Sequence, residues 1–186
     1  MKRVFLLTGS PGSGKTTAIQ KILSQFSGDA GGFYTEEIRE GGRRTGFALI
    51  TLDGRSGVLA HVRIRGAPRV GKYGVDLSVM DGIAVDCLTR AMADKDIVVI
   101  DEIGPMELRS KKFREVVMQV LESDVAVLGS IVKRRTDFTD AIKRHPDVHV
   151  IEIDRTNREQ VQADIVDWLQ RASRSEMGDT NMREQP

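Results

Sequence analysis

Gly9-Ser10-Pro11-Gly12-Ser13-Gly14-Lys15-Thr16 has the residue types and spacing of a loop that wraps a polyphosphate. It fits G-x-x-x-x-G-K-[ST], and it lies where that pattern has meaning, after the apolar run Val4 to Leu7 and before a helical repeat. Glycines let consecutive backbone N–H groups turn inward around an anion. The helix that follows adds its own unpaired N–H groups and the positive end of its dipole. In this arrangement Lys15 reaches the β- and γ-phosphates and the Thr16 hydroxyl ligates Mg²⁺.

A second constellation stands far downstream. Ile97-Val98-Val99-Ile100 is a continuous apolar run, and it ends in Asp101-Glu102. A strand buried on both faces reads this way, and a carboxylate at its tip can hold Mg²⁺ beside a bound phosphate chain. The neighbouring carboxylate, Glu102, is placed to orient or deprotonate an attacking water, so hydrolysis is the expected chemistry. Glu107 is the competing base, because Gly104-Pro105 can form a tight turn that brings it back.

Cations crowd the stretch between, and phosphoryl transfer uses a cation to meet the charge that develops on the transferred group. Arg69-Val70-Gly71-Lys72-Tyr73-Gly74 is the leading location, with Arg69 and Lys72 on a glycine-flanked loop. Lys133-Arg134-Arg135 is the second, following a strand on which Ser130 is placed to sense phosphate or water.

The elements that must position these residues follow from periodicity. Ile19, Ile22, Leu23 and Phe26 make one buried helical stripe. Strand-like runs at 32–38, 45–52 and 57–64 follow, with Gly41-Gly42 and Asp53-Gly54 as hairpin turns between them. Residues 78–93 and 110–123 read as helices; 125–131 and 148–153 read as strands. Thr156-x-x-Glu159 is a capping box opening a helix whose apolar face is Val161, Ile165, Trp168 and Leu169. Strands alternating with helices imply a mostly parallel open α/β sheet with helices on both faces. Its ligand site lies beyond the carboxyl ends of the strands, where Gly9 and Asp101 both fall. One domain over residues 1–172 is expected, with a hairpin-rich insertion at about 32–76 and a polar, disordered tail over 173–186.

Composition narrows the partners. The 28 basic and 27 acidic side chains leave a net charge of +1, and aromatics make up 5 % of the chain. Both argue against a nucleic-acid platform. No apolar run reaches the roughly 18–20 residues of a membrane span. The lone cysteine, Cys87, sits on an apolar helix face and reads as a buried hydrophobe in a reducing, cytoplasmic setting. His61, His145 and His149 have no metal-ligand spacing with it. No N-K-x-D or T-K-x-D motif marks a guanine-specific switch.

Several longer segments carry a family resemblance. Gly9 to Thr17, Gly32-Phe33-Tyr34-Thr35-Glu36-Glu37, Val70 to Val75, Asp101-Glu102-Ile103-Gly104-Pro105-Met106-Glu107 and Thr156-x-Arg158 together resemble the cancer-related nucleoside-triphosphatase family. That resemblance implies a three-layer P-loop NTPase fold, with the 125–131 strand inserted between the phosphate-loop strand and the carboxylate strand. It implies slow Mg²⁺-dependent hydrolysis of ATP, GTP and other nucleoside triphosphates to diphosphate and phosphate, with loose base selectivity. The implied nucleotide site comprises Gly9, Ser10, Pro11, Gly12, Ser13, Gly14, Lys15, Thr16, Thr17, Asp101, Glu102 and Gly104. Asn157 and Arg158 are the implied base contacts. Pro105 stands where many relatives carry a polar residue, so no role for that side chain transfers. A small-molecule or nucleic-acid-end kinase and a nucleotide-dependent switch module are the rival readings. A monomer is expected, and no protein partner can be inferred.

Overall fold

A computed structural model describes residues 3–180 of the chain, with side chains described as far as Arg171. Among the described residues, nine strands, numbered in chain order, form one sheet in the order β5-β6-β4-β3-β2-β7-β8-β1-β9. Strand β1 (Val4–Thr8) is flanked in parallel by β8 (Ala126–Ile131) and β9 (Val148–Glu152). Strand β7 (Ile97–Ile103) pairs in parallel with β8 on one side and with β2 (Ala30–Glu40) on the other. The 125–131 run therefore does lie between the phosphate-loop strand and the carboxylate strand, as expected.

The hairpin-rich insertion is present and joins the sheet through β2. β2 is eleven residues long and serves two partners in succession. Residues 30–33 extend the parallel sheet along β7, and 33–40 pair antiparallel with β3 (Arg43–Thr51). The hairpins therefore continue the central sheet. β3 turns at Asp53-Gly54 into β4 (Ser56–His61), and Gly54 adopts φ 89° there, as the turn chemistry requires. Two short strands unmarked by periodicity, β5 (Arg69–Val70) and β6 (Tyr73–Val75), close the edge.

Helices cover both faces. α1 (Lys15–Leu23) packs with α6 (Arg158–Thr180) on one face, where Ile19, Ile22, Ile165, Trp168 and Leu169 join Leu7, Val99 and Leu128. On the other face, the helix expected over 78–93 is interrupted. It runs as α2 (Leu77–Val79), a π-helical turn (Met80–Ala84) and α3 (Val85–Asp94). The carboxylate of Asp81, in the π turn, accepts a hydrogen bond from the Ser110 hydroxyl at the start of α4 (Lys111–Glu122). Ser110 also caps α4 by accepting from the Phe113 N–H. A further helix, α5 (Asp137–Arg144), is too short and polar to show an apolar stripe in sequence.

Two expectations about α6 change. The Thr156/Glu159 capping box does not form. Instead the Asp154 carboxylate accepts from the N–H groups of Thr156 and Asn157 and from the Thr156 hydroxyl. An aspartate two residues upstream outcompetes a threonine as the acceptor that starts the turn. The α6 backbone also continues to Thr180, beyond the point where the polar tail was expected to begin; residues 181–186 of that tail lie outside the described residues.

Candidate active site

The loop from Gly9 to Gly14 connects the carboxyl end of β1 to the first turn of α1. Gly12 (φ 78°) and Gly14 (φ 92°) hold left-handed conformations that a side chain would oppose. The loop is also tightly walled. A Cβ on Gly9 would lie 2.5 Å from the Ile153 carbonyl oxygen, and one on Gly14 would lie 2.8 Å from Arg158 Nη1. The turn after β9 and the start of α6 thus form the outer side of the loop. The Ser13 hydroxyl in the same loop is buried without a hydrogen-bond partner.

Lys15 Nζ lies 3.3 Å from the Gly9 carbonyl and 3.7 Å from Glu102 Oε1, so it bridges the loop and the carboxylate strand. Asp101, at the tip of β7, is 1 % exposed. One of its oxygens accepts from the Ser130 hydroxyl on β8, while Oδ2 is buried and unpartnered. Burial pushes the Asp101 carboxyl above its ordinary range, opposed by the Ser130 hydrogen bond, the nearby Thr16 hydroxyl and the Lys15 charge. Ser130 therefore orients Asp101. A desolvated carboxylate oxygen with no donor, beside the Thr16 hydroxyl, is a donor set that fits a hard divalent cation.

The β7–β8 register breaks between Ile100 and Ile103, and the peptide between Asp101 and Glu102 is cis. Glu102 is half-buried at the cleft wall, and burial raises its carboxyl despite the neighbouring Lys15. Gly104-Pro105 does return the chain, and the 3₁₀ turn Glu107–Arg109 brings Glu107 to the same cleft at 5 % exposure. A Cβ on Gly104 would lie 2.9 Å from Glu107 Oε2 and 3.0 Å from Glu102 Oε2. The two carboxyl tips therefore converge on Gly104. Burial, reinforced by the Glu102 and Asp101 charges, pushes Glu107 up to about 8.

The cleft enclosing these groups has a volume of about 590 Å³. Its inner wall is Gly9, Ser10, Pro11, Lys15 and Glu102, and its far wall is Arg44, Phe47, Val70, Gly71 and Tyr73 from the inserted strands. Arg69 and Lys72 themselves are absent from that wall. The Arg69 guanidinium turns to the Lys72 carbonyl, and Lys72 Nζ lies 5.4 Å from the Tyr73 ring centre. The cation presented by the insertion is Arg44, which sequence reasoning passed over. Its Nε donates to Tyr73 Oη at 3.1 Å, its Nη1 to Glu37 at 2.7 Å, and its guanidinium carbon lies 5.1 Å from the Phe47 ring centre. No local signal marks it, because only strand pairing brings β3 to the cleft. Lys133 also reaches the cleft, paired with Glu152, while Arg135 pairs with Asp140.

The amide of Asn157 is committed to the turn, bonding the Asp154 N–H and the Glu152 carbonyl. Arg158 packs over the phosphate loop. Cys87 is buried with its thiol against the Ala84 carbonyl, and burial pushes it up to about 12.

A phosphate loop, a buried carboxylate at the neighbouring strand tip and an inserted strand between them form the frame of a P-loop enzyme. Residues 4–166 match the model of a family described as NTPase. The chain belongs to this nucleoside-triphosphatase family. It is 47 % identical over 165 residues to nucleoside-triphosphatase THEP1 of Thermotoga maritima, covering 89 % of this chain and 94 % of that protein. The corresponding protein of Methanothermobacter thermautotrophicus is 44 % identical over 169 residues, covering 89 % and 95 %. Among solved structures, THEP1 from Aquifex aeolicus superposes with a TM-score of 0.80 at 36 % identity, covering 89 % of this chain and 98 % of that one. A human cancer-related nucleoside triphosphatase superposes with a TM-score of 0.75 at 38 % identity, covering 91 % and 98 %. The family inferred from the motifs and the family matched over the whole fold are the same. Among the described residues, no helix of this NTPase is long and apolar enough to cross a membrane.

Proposed function

We propose that this NTPase hydrolyses nucleoside triphosphates, ATP and GTP included, to the diphosphate and phosphate with loose base selectivity and with Mg²⁺. The observation that carries the reading is the pairing of Lys15 with Glu102 at 3.7 Å, next to the unpartnered oxygen of Asp101. The backbone of Gly9 to Gly14 cradles the phosphates, and Lys15 neutralises charge between β and γ. Thr16 and Asp101 would hold Mg²⁺, which supplies positive charge to the phosphate oxygens when bound.

Glu102 is the group we assign to the water. It pairs with Lys15 in the cleft, whereas Glu107, in the lining of the same cleft, holds its proton near neutral pH. As the water oxygen bonds to the γ-phosphorus, the bond to the β–γ bridging oxygen breaks and the water proton passes toward the Glu102 carboxylate. Arg44 is the cation best placed on the far wall to meet the transferred group, with Arg69 and Lys72 supporting the hairpin that carries Tyr73. Loose base selectivity agrees with an Asn157 amide already occupied by backbone partners.

Phosphate release from ATP and GTP, with and without Mg²⁺, tests the reading. Glu102→Gln is expected to lower turnover by at least about a hundredfold while nucleotide affinity changes little. Wild-type turnover in that variant would remove Glu102 from the role. Transfer of a γ-phosphate label to added nucleosides, nucleotides or RNA ends would replace hydrolysis with the kinase reading.

A further inference from the structure

A second cavity of about 420 Å³ adjoins the nucleotide cleft and shares Pro105 and Val132 with it. Three arginines line it: Arg109 from the 3₁₀ turn, Arg114 from α4 and Arg134 from the segment after β8. Asp137 is the single carboxylate in its lining, so the cavity carries a net excess of two positive charges. Arg109 and Arg114 are each tethered through one nitrogen to a backbone carbonyl, of Arg69 and of Leu108 respectively. Each keeps further N–H donors for a ligand. The Arg134 side chain has no partner among the described residues, while its neighbour Arg135 is neutralised by Asp140. Three guanidinium groups around one cavity repel one another, and packing alone does not bring them together. The remaining wall is Thr136 together with the apolar Pro105, Leu108, Val132 and Phe138.

We infer that this cavity is a second ligand site, taking a phosphate monoester attached to a flat or apolar body about the size of a mononucleotide. The dianionic phosphate matches the excess of two charges and the multiple N–H donors of the arginines. The body covers Phe138 and Leu108, and the volume falls within the range of small-ligand pockets. The site is distinct from the phosphate loop, since none of its lining belongs to Gly9 to Thr16. It is physically joined to the nucleotide cleft in two places. Pro105 belongs to the turn that carries Glu107, and Arg109 holds the carbonyl of Arg69 at the base of the hairpin that presents Tyr73.

Equilibrium dialysis of labelled AMP tests the inference, with the phosphate loop first filled by excess Mg²⁺ and a non-hydrolysable ATP analogue. About one further equivalent of AMP per chain is expected. Arg134→Glu should weaken it by at least about tenfold while the bound analogue is retained, which also shows that the exposed substitution leaves the fold intact. Adenosine should fail to compete, and inorganic phosphate and ribose 5-phosphate should compete more weakly than AMP. No AMP beyond the filled loop, or equal binding by Arg134→Glu, would overturn the site. Competition by adenosine as strong as by AMP would overturn its phosphate recognition. Competition by inorganic phosphate as strong as by AMP would overturn the apolar part. The readout involves no turnover, so failure of the hydrolase reading would leave it standing, and the reverse holds too.

Discussion

Glu102 and Glu107 illustrate how two carboxyls on one turn come to differ. Both face the point above Gly104, and both are lifted by burial, but Glu102 has Lys15 as a counter-charge and Glu107 has no cation. Glu107 therefore keeps its proton to about 8 against an ordinary 4.5. Between those values the folded chain holds a proton that the unfolded chain releases, so stability falls as pH rises through that window. Glu107→Gln removes the titration. Urea unfolding of the nucleotide-free protein between pH 5 and 8 should then show a slope flatter by up to about 1.4 kcal/mol per pH unit. An unchanged slope would show that Glu107 is ionised in the fold. The sequence placed both acids at the site but could not rank them, because the ranking depends on burial and on Lys15 arriving from another strand.

At the scale of elements, the segments that signalled the family turn out to be partly structural. In Gly32-Phe33-Tyr34 the glycine has φ 115°, and a Cβ there would lie 2.0 Å from the Val99 carbonyl. Phe33 is fully buried and meets Phe113 edge-on, with ring centres 6.0 Å apart. The motif thus welds β2 to β7 just before Asp101. Gly32→Ala is expected to cost at least about 3 kcal/mol in denaturant unfolding, through the strained φ and the forced separation of the strands. Gly41→Ala also has positive φ but open space around it, and should cost about 1–2 kcal/mol. Equal effects would mean that strand contact is not what Gly32 secures. Long periodic elements such as α4 and β7 were legible because one apolar face or run defines each. β5, β6 and α5 were not, since two- and three-residue strands and a short polar helix leave no period to read. Arg44 was missed for the same reason, as a strand residue gains its role only from the neighbours it is paired with.

Over the whole molecule, the proposed nucleotide site is assembled from segments far apart in the chain. β1 leads into the loop, β7 and β8 carry Asp101 and Ser130, and the first residue of α6, Arg158, packs against Gly14. α6 must therefore be docked for the loop to keep its outer wall. Its described anchors are Val161, Ile165, Trp168 and Leu169, and Trp168 packs at a tilt of 41° against Phe5 of β1 with ring centres 4.3 Å apart. Sequence periodicity on this helix ends at those anchors, and residues 173–186 are mostly polar. Ending the chain at residue 172 should accordingly leave phosphate release within about twofold and shift Tm by no more than a few degrees. Trp168→Ala, by contrast, removes a large side chain between α6 and β1 and is expected to cost about 3–5 kcal/mol. It should lower nucleotide affinity as well, because the wall that Arg158 forms loosens with the helix. Intrinsic fluorescence of the only tryptophan reports docking in the shortened chain directly. A red-shifted, solvent-exposed emission there would show that residues beyond 172 hold α6 in place, and the tail would then belong to the folded domain.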